Sequence, residues 1–164
     1  MNTPLESFIQ SLRDELQQYG EMLARLESQQ EQVMTRNSND ILQTSDAVQE
    51  QGRVIEATRR EREQAQRTLA AALQHPGTAT LAEIIPLLPA PYQPLTHALV
   101  NENNQLLQRI HHRARQNHLL LNRSLELLQR FINTLCPSNT PVYTGRGGLS
   151  AVLPTPFSLY EAVG

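Results

Sequence analysis

The spacing of apolar positions divides the chain into three amphipathic stretches and a remainder with no period. In the first stretch, Leu5, Phe8, Leu12, Leu16, Tyr19, Leu23, Leu26 and Val33 recur at threes and fours, which places them on one stripe of a helix with a heptad-like seam. Thr3 followed by Pro4 supplies an N-cap and a first helical residue whose missing N–H costs nothing there, and Glu6 adds a favourable charge in the first turn. The pattern stops at Asn37-Ser38-Asn39-Asp40, four residues that favour caps and turns over helix interiors. A tight reversal at this point predicts an αα-hairpin. The second helix carries Ile41, Val48, Ile55, Arg62 and Leu69 at heptad spacing, with Ala65 and Ala72 beside them. Gly52 and the run Arg59-Arg60-Glu61-Arg62-Glu63 interrupt its stripe, and the run reads as a solvated face with i,i+4 pairs.

Proline supplies the remaining boundaries, because it breaks helix interiors and marks connections. His75-Pro76-Gly77 ends the second helix in the manner of a glycine-assisted C-terminus. Between Thr80 and Pro94 lies a short apolar turn of Leu81, Ile84, Ile85, Leu87 and Leu88, with Thr80 and Glu83 forming a capping box. Pro86, Pro89, Pro91 and Pro94 keep it short, so it predicts a crossover that returns the chain along the hairpin. The third long helix, Leu95 to Cys136, reads as the element around which the others are arranged. Leu99, Leu106, Ile110, Ala114, Leu121, Leu125, Leu128, Ile132 and Leu135 form its stripe and predict a covered face along its whole length. In its second half Leu119, Leu120, Leu127 and Phe131 lie off that stripe, so the apolar surface spreads around the helix and must be covered on more than one side, either by a second helix of the chain or by a partner docked there.

The predicted fold is all-α: an elongated antiparallel three-helix bundle or coiled coil, with helices at about 4–36, 39–74 and 94–135, a short crossover helix at about 80–88, and a Pro/Gly-rich tail. The bundle is expected over residues 1–136 and a flexible tail over 137–164. That tail holds four Pro and four Gly yet keeps Tyr143, Phe157 and Tyr160, three of the seven aromatic residues in the chain. Aromatics in a segment without a core suggest either recognition elements or a tail that packs back on the bundle.

Composition agrees with long helices: 39% apolar residues, 4% aromatic, and all 14 basic residues Arg against 16 acidic ones, for a formal net charge of -2. This balance disfavours nucleic acid and anionic lipid as partners. The single Cys136 fits a reducing compartment, and neither a signal-peptide pattern nor an apolar run of about 20 residues is present, so a soluble cytoplasmic protein without membrane insertion is expected. No catalytic, cofactor or metal site is expected. His111 and His118 share a face two turns apart, too far for a chelating pair. Gly145-Arg146-Gly147-Gly148 lacks the strand, helix and Lys of a phosphate loop, and no nucleophile elbow occurs.

Asn101-Glu102-Asn103-Asn104-Gln105-Leu106-Leu107 resembles the third-helix signature of the FlgN-type flagellar export chaperones, in which two Asn residues precede an aliphatic pair. Asn101, Asn104, Leu106 and Leu107 occupy those positions, with Gln105 where Gly is common. A Leu-rich helix end, a Pro-bearing break and a Tyr-x-Gly segment follow, matched by Tyr143 and Gly145. The resemblance implies a cytoplasmic type III secretion chaperone that binds the flagellar hook-filament junction proteins, prevents their premature association and escorts them to the flagellar export apparatus; monomer and homodimer are both compatible with the sequence. It implies a client surface at the end of the third helix and in the tail, here Leu119, Leu120, Leu127, Leu128, Phe131, Leu135, Phe157 and Tyr160, and it ties Tyr143 to docking on the export gate. The heptads also suit a different class, a structural coiled-coil adaptor or self-assembling helical protein.

Overall fold

The structure, a computed structural model, describes residues 3–35 and 38–135; the expectations placed on Cys136, Tyr143, Gly145, Phe157, Tyr160 and the rest of the tail lie outside these residues. The described chain forms α1 (Pro4–Thr35), α2 (Ser38–Ala72), a short α3 (Leu81–Ile84) continued by a 3-10 turn (Ile85–Leu87), and α4 (Gln93–Leu135). The all-α reading holds: a long hairpin, a short crossover helix and a third long helix. Thr3 and Glu6 start α1 with a reciprocal capping box, Thr3 N–H donating to Glu6 Oε2 at 2.9 Å and Glu6 N–H donating to Thr3 Oγ1 at 3.2 Å. At the crossover, the Thr80 N–H donates to Glu83 Oε2 at 2.7 Å and the Thr80 hydroxyl donates to the same oxygen at 3.0 Å. The two donors hold the Glu83 carboxyl below the usual carboxylate range.

The end of α2 differs from expectation. Gly77 does not adopt the left-handed conformation; Gln74 does, with φ 57°. The Gln74 N–H donates to Ala71 O at 3.0 Å and the His75 N–H to Ala70 O at 2.9 Å, the paired bonds of a Schellman motif. A non-glycine residue there costs roughly 1 kcal/mol.

A second correction concerns the centre of the bundle. Both α2 and α4 close on α1, and it is α1, not α4, around which the helices are arranged. Gln51 of α2 meets Gln18 and Ser45 meets Gln29, so α2 runs antiparallel to α1. Asn103 of α4 meets Leu12 and Asn117 meets Leu26, each pair ninety-one positions apart. Helix α4 therefore runs parallel to α1, in one register over two heptads.

The core is layered. Phe8, Leu12, Leu69, Ala70, Ile84, Leu88 and Leu99 pack together where the crossover folds over the bundle. Farther along, Tyr19, Met22, Leu23, Leu26, Ile55 and Ile110 form a second cluster. Between the two sits a polar layer that overturns the reading of the charged run as wholly solvated. Arg62 is buried, its Nε 3.0 Å from Oε2 of the buried Glu15, while Tyr19 donates to Glu15 Oε1 at 2.7 Å. Arg62 also donates to Gln66 Oε1 at 2.8 Å, and Gln66 donates to the Ala79 carbonyl at 2.9 Å. Its heptad position with Ile55 and Leu69 outweighs the charge, because Glu15 stands opposite and neutralises it.

Candidate functional site

The two halves of α4 inherit the same three-and-four spacing and meet different surroundings. In the first half Thr96, Leu99, Asn103, Ile110 and Asn117 are buried against α1. Two of them are amides that grip the α1 backbone. Asn103 Nδ2 donates to Leu12 O at 3.2 Å, and Asn117 Nδ2 donates to Leu26 O at 2.7 Å and to Gln29 Oε1 at 3.0 Å. A helix carbonyl has a second lone pair free for such a donor. Gln29 in turn donates to Ser45 Oγ at 3.1 Å, so a single polar chain joins α4, α1 and α2. Buried polar residues at coiled-coil core positions specify register, because a slip leaves them without partners.

Beyond Asn117 the cover is lost. The register of ninety-one positions sets Thr35, the last residue of α1, beside Glu126. Residues 127–135 then run about 13 Å past it. Leu119, Leu125, Leu127, Leu128, Phe131, Ile132 and Leu135 are each more than half exposed. The stripe residues Leu128, Ile132 and Leu135 are thus not covered as expected, because the 43-residue α4 outruns the 32-residue α1; Leu125, opposite Met34 near the end of α1, is exposed as well. Met34 and Leu42, flanking the reversal between α1 and α2, are also exposed. Leu120 and Leu121 are half-buried. Of the anticipated client residues, the structure gathers Leu119, Leu127, Leu128, Phe131 and Leu135 on one solvent-facing segment, leaves Leu120 at its inner edge, and does not describe Tyr143, Phe157 and Tyr160.

The signature residues lie in the first half of α4. Asn101 is exposed, Leu106 and Leu107 are half-buried against the second cluster, and Asn104 lines a small pocket with Leu12, Glu15, Tyr19, Arg62 and Asn103. Asn103, absent from the expected set, makes the buried contact; its heptad spacing from Thr96, Ile110 and Asn117 is the signal that marks it. His112 and His118 are exposed and each lies 3.1 Å from an amide one turn on, Gln116 and Asn122. Burial, together with the charge and hydrogen bond of Glu15, pushes the Tyr19 phenol far above its usual range. Its role is that of a neutral structural donor. Among the described residues no group of three His, Cys, Asp or Glu side chains is placed to hold a metal, and no helix is long and apolar enough to cross a membrane.

Comparison with curated proteins gives no match, and neither does comparison with solved structures. A family model described as FlgN protein matches residues 1–151, which takes in the whole described bundle and both Asn residues of the signature. The chain belongs to the FlgN family and is a flagellar export chaperone.

Proposed function

We propose that this chain is a cytoplasmic chaperone that receives a helix of a flagellar hook-filament junction protein on the outer end of α4, keeps it from associating prematurely, and carries it to the export apparatus. The observation that supports this reading is the set of large apolar residues, Leu127, Leu128, Phe131 and Leu135 among them, left exposed where α4 passes the end of α1. A contiguous apolar surface of this kind marks an interaction site. An amphipathic client helix laid along it satisfies the helix-in-groove mode. Desolvating leucines and one Phe, with few hydrogen bonds to break, gives an affinity that a competing surface at the export gate can overcome. Tyr143, in the tail, is assigned to that hand-over on the strength of the family resemblance.

The same residues favour one other occupant. Leu121, Leu125, Leu128, Ile132 and Leu135 follow a four-three spacing, which also suits self-association. Replacing Leu128 and Leu135, which belong to both sets, by Asp separates the readings. A chaperone loses co-purification with the junction proteins while helicity by circular dichroism stays nearly intact. A self-assembling protein instead changes from oligomer to monomer by light scattering and loses the dependence of its unfolding temperature on concentration.

A further inference from the structure

The apolar end of α4 carries a line of arginines. Between Glu102 and Glu126 the helix contains no acidic residue, while it carries four Arg and three His. Arg109, Gln116, Arg123 and Arg130 follow one another at seven-residue steps and so lie in one line along the helix. The line begins at the open groove between α1 and α4 that Leu23, Glu27, Arg109 and Arg113 share, and continues beside Leu127 and Phe131. Next to its inner end, Arg113 pairs with Glu27 at 3.7 Å and donates to Gln30. Among the described residues Arg109, in the line itself, makes no ion pair. Among the described residues the side chains of Arg123 and Arg130 make no ion pair, whereas Arg53, Arg59, Arg62 and Arg67 on α2 each reach a carboxylate. Arg130 lies past the end of α1, where that helix's carboxylates do not follow. Glu126 lies within one turn of both and at ion-pair distance from neither.

We infer that the segment received on this face is an amphipathic helix with carboxylates along one edge of its apolar stripe, one heptad apart, set opposite Arg123 and Arg130. The inference rests on the docking role proposed above and adds the charge and spacing of the occupant. Two cations about 10.5 Å apart along the helix select a matching pair of anions, and charges at the rim of an apolar contact act chiefly on association rate, register and salt dependence.

The test measures the affinity of the full-length chain for the purified hook-filament junction proteins across a salt series. Three forms are compared: the natural sequence, Arg123→Glu with Arg130→Glu, and Leu127→Asp with Phe131→Asp. The charge reversal is expected to weaken binding ~10-fold at low salt and to flatten its salt dependence, with helicity unchanged because both sites are exposed. Replacing two heptad-spaced carboxylates of the client by Arg restores the reversed form. If the Asp variant loses binding while the charge reversal alters neither affinity nor salt slope, the docking role stands and the acidic-edge inference is overturned. If neither variant changes binding, or if the natural chain fails to bind, both fall together.

Discussion

The two ends of this bundle are built to opposite rules. At the crossover end, α3 and its 3-10 turn fold over Phe8, Leu69, Ala70 and Leu99, with Ile84 and Leu88 filling the gap. Capping boxes at Thr3 and Thr80 satisfy the nearby helix starts, and the buried Glu15–Arg62 pair closes the layer above. At the hairpin end nothing among the described residues folds over, and α4 continues alone with its leucines in water. Hydrophobic spacing is the same in both regions; what differs is whether a neighbour reaches far enough to cover it. One end is therefore where stability resides, and the other is the surface proposed to receive a client.

Matched truncations on α4 test that division with the largest contrast. Ile110→Ala removes a buried side chain from the second cluster and is expected to destabilise the chain by about 3 kcal/mol. Leu128→Ala, by contrast, is expected to stay within about 0.5 kcal/mol, since that residue is already exposed. Urea unfolding monitored by circular dichroism reads both. Equal losses would mean that the outer segment is core and the division is false.

Tyr19 offers a narrower probe of the closed region. Its folded-state phenol titrates far above the unfolded value of 10.0, so its contribution is full below about pH 10 and declines as pH rises beyond it, by about 1.4 kcal/mol per pH unit. All the basic side chains are Arg, so no Lys titration overlaps this range. Tyr19→Phe should remove that part of the alkaline slope, measured as the pH dependence of the urea midpoint.

The smallest expected effect is a gain. Gln74→Gly relieves the left-handed strain at the end of α2 and is expected to stabilise the crossover end by about 1 kcal/mol, seen as a rise in melting temperature.

Much of the fold is legible in the sequence because proline and apolar spacing are local signals. Thr3, Thr80 and Glu83 declare their helix starts, and the crossover follows from four closely spaced Pro residues. Arg62 carries conflicting signals: its position in the Ile41, Val48, Ile55, Leu69 heptad points inward, while its charged neighbours point outward. The deciding partner, Glu15, is forty-seven positions away in the chain. Gln74 carries no compositional mark of a left-handed cap, and the nearby Gly77 draws attention from it. For the site, the surplus of apolar residues after Leu119 is plain in the sequence. That Leu128 and Ile132 share the exposure is not, because it depends on where α1 ends relative to α4, a matter of register between helices.

That register also dictates an order of events at the ribosome. Leu12 and Leu26 meet Asn103 and Asn117 ninety-one positions later, whereas the hairpin of α1 and α2 is complete within the first 72 residues. At elongation rates of about 5–20 residues per second, the α4-facing side of α1 waits several seconds for its partner. During synthesis, then, the nascent hairpin itself displays an apolar stripe to the cell, and a protein that shields other chains begins its own life in need of shielding.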